Sequence, residues 1–152
     1  MDNFRQLSDD IAISGQPSPE DLDSLQAQGF RTVVNLRTDG EPGLLDDEER
    51  EVENRGLNYA SVPVSPALLD DVAVARFSQE LESVDGKPAL VHCKSAGRAG
   101  MMVLLHMAVQ NGWSVQKALQ AGKEMGDLAP AETSPYRTFF EDYLRRHSAG
   151  ER

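Results

Sequence analysis

"ALVHCKSAGRAGMMVLL", residues 89–105, is the stretch that decides the fold. It opens with an apolar run of strand length and closes with a run apolar on nearly every side, which continues to Gly112 and suits a buried helix. A strand ending at Cys93 and a helix beginning near Arg98 put the peptide groups of Lys94, Ser95, Ala96, Gly97 and Arg98 at the positive end of a helix dipole. There they can curl around an anion, because Gly97 and the small Ala96 permit tight curvature. Such a nest stabilises a thiolate as well as an oxyanion, and Cys93 is the only cysteine in the chain. Arg98 adds a planar fork suited to a tetrahedral oxyanion, and Lys94 a point charge. A lone cysteine is usually a small buried hydrophobe. A purely structural thiol, however, has no use for a glycine-containing loop that ends in arginine, so the Cys-x4-Arg spacing points to a nucleophile with its own anion cradle.

Outward from this stretch, strand-like and helix-like segments alternate. Ile11 to Ser14 reads as a short strand. Ser18, Pro19 and Asp21 then give a helix start, and Gly29 a stop, for a helix from Pro19 to about Gln28. "RTVVNL" (31–36) is a central strand, "RTDGEPG" (37–43) a loop, "LLDDEEREVENRG" (44–56) an acidic helix, and "LNYASVPV" (57–64) a further strand. Val72, Val74, Phe77, Leu81 and Val84 recur at near-helical spacing, which predicts a helix over Asp70 to Val84. Two more helices follow, Ser114 to about Lys123 and Ser134 to about His147, the latter opening with Pro135. Strands separated by helices predict an α/β domain with a mostly parallel central sheet flanked by helices, and no linker divides residues 1–152.

The bulk numbers bound the function. Twenty-five acidic against fifteen basic residues give a net charge of −10, which repels nucleic acid and anionic membrane surfaces, so an anionic ligand must be caught by a local positive site. One cysteine forms no internal disulfide, and the polar, acidic "MDNFRQLSDD" start does not read as a signal peptide. Together with the lack of any membrane-length apolar run, these features predict a cytoplasmic location. His92, His106 and His147 do not stand at metal-ligand spacing, so neither metal nor cofactor is expected. His106 reads as a packed residue. His92 reads equally as a packed residue or as a support for the thiolate. "DDEERE" (46–51) reads as a solvated helix face, and Tyr136, Phe139, Phe140, Tyr143 and Leu144 as a core-packing stripe.

His92-Cys93, the short loop and Arg98 resemble the signature of the protein tyrosine and dual-specificity phosphatases, with the loop one residue shorter. The short form, preceded by "FRQLSDDIAISGQPSPEDLDSLQAQGFRTVVNLRTDGE" (4–41), closely resembles the bacterial beta-lactamase-hydrolase-like family over roughly residues 4–125. The resemblance implies a dual-specificity-phosphatase-like fold and a phosphatase acting on a phosphomonoester of a small anionic substrate or a phosphorylated protein. Cys93 would attack phosphorus, and Arg98 with the peptide groups of Lys94, Ser95, Ala96, Gly97 and Ala99 would hold the phosphoryl oxygens.

Two departures from the family pattern stand out. Ser65 and Pro66 lie where the acid that protonates the leaving group is expected. Asp70 is taken as the nearest candidate, with Asp71, Asp39 and Glu41 as alternatives and Arg37 as a second anion contact. Ala99 replaces the hydroxyl that assists breakdown of the phosphocysteine, which predicts slow turnover. The six-residue loop is also similar to that of rhodanese-type sulfurtransferases, in which Cys93 would carry a persulfide. A catalytically idle anion-binding module is the third reading.

Overall fold

The strands of the sheet are short, and three of them are buried along their whole length, as a sheet covered on both faces requires. The structure, a computed structural model, describes residues 1–147. In chain order its elements are β1 (Arg5–Gln6), β2 (Ile11–Ser14), α1 (Pro19–Ala27), β3 (Thr32–Asn35), α2 (Glu48–Glu53) and β4 (Asn58–Ser61). They continue with α3 (Asp71–Glu82), β5 (Ala89–His92), α4 (Gly97–Asn111), α5 (Val115–Glu124) and α6 (Arg137–His147), and a single 3-10 turn, Val84–Gly86, precedes β5. The sheet order is β1-β2-β5-β3-β4. All pairings are parallel except that of β1, which is antiparallel to β2. In the register, Ser14 and Asn35 both stand opposite His92, so β2, β3 and β5 finish together.

Alternation along the strands sends side chains into two cores. Ile11, Ile13, Val34 and Val91 face α3 through α6, where Phe77, Met102, Leu105 and Phe140 fill the interior. Ala12, Val33 and Leu90 face α1 and α2, packing on Leu22, Leu25 and Val52. α4 is buried on nearly all sides, as its composition predicts.

The predicted elements are all present, with shifted ends. α1 opens with the expected capping box between Ser18 and Asp21. The acidic helix forms only from Glu48, because residues 44–47 turn through a left-handed Asp47. α3 stops at Glu82, and Val72 on it is 66% exposed and so off the apolar stripe. β1 has no counterpart in the sequence reading. It is two residues long, too short for any periodicity to register.

Candidate active site

β5 delivers Cys93 to the carboxyl end of the sheet, where its sulfur-bearing side chain is 1% exposed. The Cys93 N–H donates to the Ser14 carbonyl oxygen at 3.3 Å, extending the β2–β5 pairing by one residue. The loop then turns through Ala96 in the left-handed region at φ +79° and enters α4 at Gly97. No side chain caps this helix and its first turn holds no acidic residue, whereas Ser18, Asp70 and Ser114 cap α1, α3 and α5. The first amides of α4 therefore keep their positive potential beside the thiol.

The rest of the fold braces the loop from outside. Asn3 Nδ2 donates to the Ser95 carbonyl oxygen at 2.9 Å, and Gly15 forms a bridge with Ser95. Gly15 has to be glycine for want of space: a Cβ there would lie 2.8 Å from the Lys94 carbonyl oxygen and 3.2 Å from that of Asp2.

Arg98, on the first turn of α4, is locked in place. Its Nη1 and Nη2 donate to the Glu41 carboxylate, each at 2.8 Å, and Nη1 also donates to the Val64 carbonyl oxygen at 3.0 Å. Glu41 further accepts from Arg37 Nε at 3.1 Å, from the Thr38 N–H at 2.6 Å and from Thr38 Oγ1 at 2.9 Å. This arrangement, Arg98 first, holds the Glu41 carboxyl well below the usual carboxylate range. Arg37 is buried and spends its remaining donors on Gln16 Oε1 and the carbonyl oxygens of Pro42 and Gly43, which fixes the 37–43 loop. The network continues from Gln16 Nε2 to Glu48 Oε1 at 2.7 Å, and from Glu48 Oε2 to His92 Nε2 at 2.6 Å. His92, Glu48, Gln16, Arg37, Glu41 and Arg98 thus form one chain whose ends flank Cys93 and its loop. His92 and Glu48 are both buried, and His92 Nδ1 has no hydrogen-bond partner among the described residues.

A cavity of about 410 Å3 opens over the loop, lined by Cys93, Ser95, Gly97, Arg98, Met101 and the 127–136 segment that includes Asp127, Leu128, Ser134 and Tyr136. The half-buried Tyr136 packs against the core, as the stripe predicts, and also lines this cavity. Burial pushes its phenol up, and the charge of Arg98 works against that shift. Among the residues expected to hold phosphate, Ser95 and Gly97 line the cavity. Ala96 lines a second, adjoining cavity, Lys94 is exposed, and Ala99 is fully buried.

The structure does not bring the expected acids to the thiol. Asp70 caps α3 by accepting from the Ala73 N–H at 2.8 Å, and it lines a separate recess with Val62, Pro63 and Arg76. Asp71 pairs with Arg146 on the surface. Asp39 and Arg37 line a third cavity with Glu48 and Tyr59. Glu41 reaches the site, but as the partner of Arg98. Glu48, read from the sequence as part of a solvated face, is 6% exposed; its one signal is its position at the start of α2, which does not reveal the His92 contact. Among the described residues no group of three or more acidic, histidine or cysteine side chains could hold a metal ion, and no helix is long and apolar enough to cross a membrane.

A parallel strand that feeds a cysteine into a tight loop, closed by an arginine on the next helix, defines the dual-specificity and tyrosine phosphatase class of α/β fold. The model of the beta-lactamase hydrolase-like protein, phosphatase-like domain, matches residues 3–119, and the chain belongs to that family. It is 33% identical over 130 residues to the beta-lactamase hydrolase-like protein of Agrobacterium fabrum, covering 83% of this chain but only 30% of that protein's length. The DUF442 protein of Shewanella putrefaciens CN-32 superposes with a TM-score of 0.81 at 21% identity, covering 97% of this chain and 95% of the other. A cysteine-to-serine variant of P. aeruginosa TpbA, solved in complex with phosphotyrosine, has a TM-score of 0.65 at 20% identity, covering 93% of this chain and 90% of that one.

Proposed function

We propose that the protein is a cysteine-dependent phosphatase that hydrolyses a phosphomonoester through a phosphocysteine. The observation that carries this reading is the placement of Cys93 and Arg98 on one cavity, the arginine already oriented by Glu41. The thiolate of Cys93 attacks phosphorus and the bond to the leaving oxygen breaks. The Arg98 guanidinium and the amides of the loop and first turn of α4 hold the equatorial oxygens. Water then attacks phosphorus, the sulfur–phosphorus bond breaks, and inorganic phosphate leaves. With an alanine at 99 no hydroxyl assists this second step, so the phosphocysteine accumulates. The phosphotyrosine held by the TpbA variant supports the phosphoester class, and either a small anionic phosphoester or a phosphorylated protein suits the cavity. A lone free thiol suits a reducing compartment, and we place the protein in the cytoplasm.

The test is the intact mass of acid-quenched protein after brief mixing with an aryl phosphate and, separately, with a persulfide donor, with Cys93→Ser as control. A phosphoryl adduct in the cysteine form alone is expected. An added sulfur without a phosphoryl adduct would assign the site to sulfur transfer, and no adduct from either donor would leave an anion-binding module.

A further inference from the structure

The proposed reaction needs a proton for its leaving group, and the carboxylates suggested by the sequence are committed elsewhere. Glu41 is kept ionised by Arg98. Asp71 is drawn below its usual range by Arg146. Asp70 and Asp39 line other recesses.

One carboxylate does line the Cys93 cavity: Asp127. α5 ends at Glu124, and the chain doubles back through Gly126 at φ +110° and Asp127 at φ +61° before Leu128 returns to the core. Aspartate is among the few residues other than glycine that enter the left-handed region readily. The turn is clamped from both sides. Arg5 on β1 donates from Nη1 to the Met125 carbonyl oxygen at 3.1 Å and lies so close over Gly126 that a Cβ there would collide with that nitrogen. The Leu128 N–H donates to the Gly122 carbonyl oxygen at 3.0 Å, and the Leu128 side chain packs against Gly100, two residues beyond Arg98. Asp127 lines both the Cys93 cavity and an adjoining one, which share Ser95, Gly97 and Leu128. It therefore stands exposed beside the loop, on a backbone fixed to both β1 and α4.

Building on the phosphatase reading, we propose that Asp127 is the general acid and base of this site, presented from the turn after α5 and not from a loop upstream of Cys93. In the first half-reaction the protonated carboxyl gives its proton to the leaving oxygen as the phosphorus–oxygen bond breaks and the sulfur–phosphorus bond forms. In the second, the resulting carboxylate takes a proton from the water that attacks phosphorus while sulfur departs as thiolate. The carboxyl ends each cycle protonated, as it began.

The experiment compares wild type, Asp127→Asn, Asp127→Glu and Asp70→Asn on phenyl phosphate and 4-nitrophenyl phosphate, with melting temperatures to confirm folding. Asparagine keeps the left-handed turn at 127 and the cap at 70. Asp127→Asn is expected to lose on the order of 10²-fold in kcat/KM on phenyl phosphate, whose leaving group needs the proton. The loss on 4-nitrophenyl phosphate is much smaller, phosphocysteine on that ester stands higher and decays more slowly than in wild type, and Asp127→Glu recovers part of the rate. An equal loss on both substrates, no loss, or a leaving-group-selective loss in Asp70→Asn instead would overturn the assignment while leaving the phosphatase reading intact. A wild type that releases no phosphate from either ester would overturn both.

Discussion

Replacing Glu41 by glutamine tests whether the Arg98 lock is an energetic feature of the fold. The glutamine is nearly isosteric, but only one of its two terminal atoms accepts. Its amide nitrogen must face either Arg98 Nη2 and Arg37 Nε or Arg98 Nη1 and the Thr38 donors, so donors oppose donors whichever way it turns. A lost charge-assisted bond costs roughly 1.5–3 kcal/mol, and stranding a buried partner costs about 3–5 kcal/mol. Glu41 retains 17% exposure and Arg98 16%, so water relieves part of the penalty. A loss of about 2–3 kcal/mol is therefore expected, or roughly 4–12 °C in Tm for a domain of this size.

The pH dependence gives a second handle on the same change. Because Arg98 lowers the folded-state pKa of Glu41 below its ordinary 4.5, its stabilisation is fully present above that value. It is lost as the pH falls from there toward the folded value. The gap in Tm between wild type and Glu41→Gln should hold steady from neutral pH to about pH 5 and close progressively toward pH 3. Scanning calorimetry at constant ionic strength measures it. Equal melting temperatures at neutral pH, or a gap that does not narrow in acid, would refute the argument that the carboxylate's charge holds Arg98.

Three further outcomes follow from the geometry. Gly15→Ala should cost on the order of 1–3 kcal/mol and slow phosphate release, because the new methyl meets backbone oxygen on two sides; wild-type rate and Tm together would contradict the close approach. Glu48→Ala strands the buried His92 and should cost about 3 kcal/mol, with most of it recovered in a double variant that also replaces His92 by an apolar residue; additive losses would show that the pair is not coupled. Arg146→Ala removes an exposed pair with Asp71 and should leave the midpoint of a urea melt unchanged, however short its hydrogen bonds; a clear fall in the midpoint would show that the pair matters to stability.

The site was legible in sequence where its logic is local, and it was lost where it depends on chain reversal. Cys93, Gly97 and Arg98 lie within one strand–loop–helix unit, so spacing alone places them together. The partner of His92 lies 44 residues upstream and that of Arg98 lies 57 upstream. Periodicity carries no trace of either contact. Glu48 looked solvated because its neighbours Glu49 and Arg50 are, and nothing around it in "DDEERE" marks it as the one that turns inward. Arg37 was read as a free anion contact because the sequence does not show that the 37–43 loop folds its own carbonyl oxygens onto that guanidinium. Asp127 drew no reading from the sequence; its place on the Cys93 cavity depends on how α5 lies on α4, which is tertiary information.

The distribution of buried polar groups makes a separate argument for where function sits. Each such group must be hydrogen-bonded or it opposes folding by kilocalories. Ser14 ends β2, Asn35 ends β3, His92 ends β5, Arg37 lies just beyond β3, and Glu48 opens α2 against His92; all are buried, and together they crowd one end of the sheet. In the strand order β1-β2-β5-β3-β4, the connection from β2 to β3 skips the place that β5 later fills, so sequence order breaks on both sides of β5. A crevice at such a switch point, outside the carboxyl ends of parallel strands, is where open α/β sheets bind ligands. Hydrophobic replacements could fill the same volume at lower desolvation cost. The polar chain from His92 to Arg98 makes sense as the apparatus that keeps one thiol and one guanidinium in register on a shared cavity.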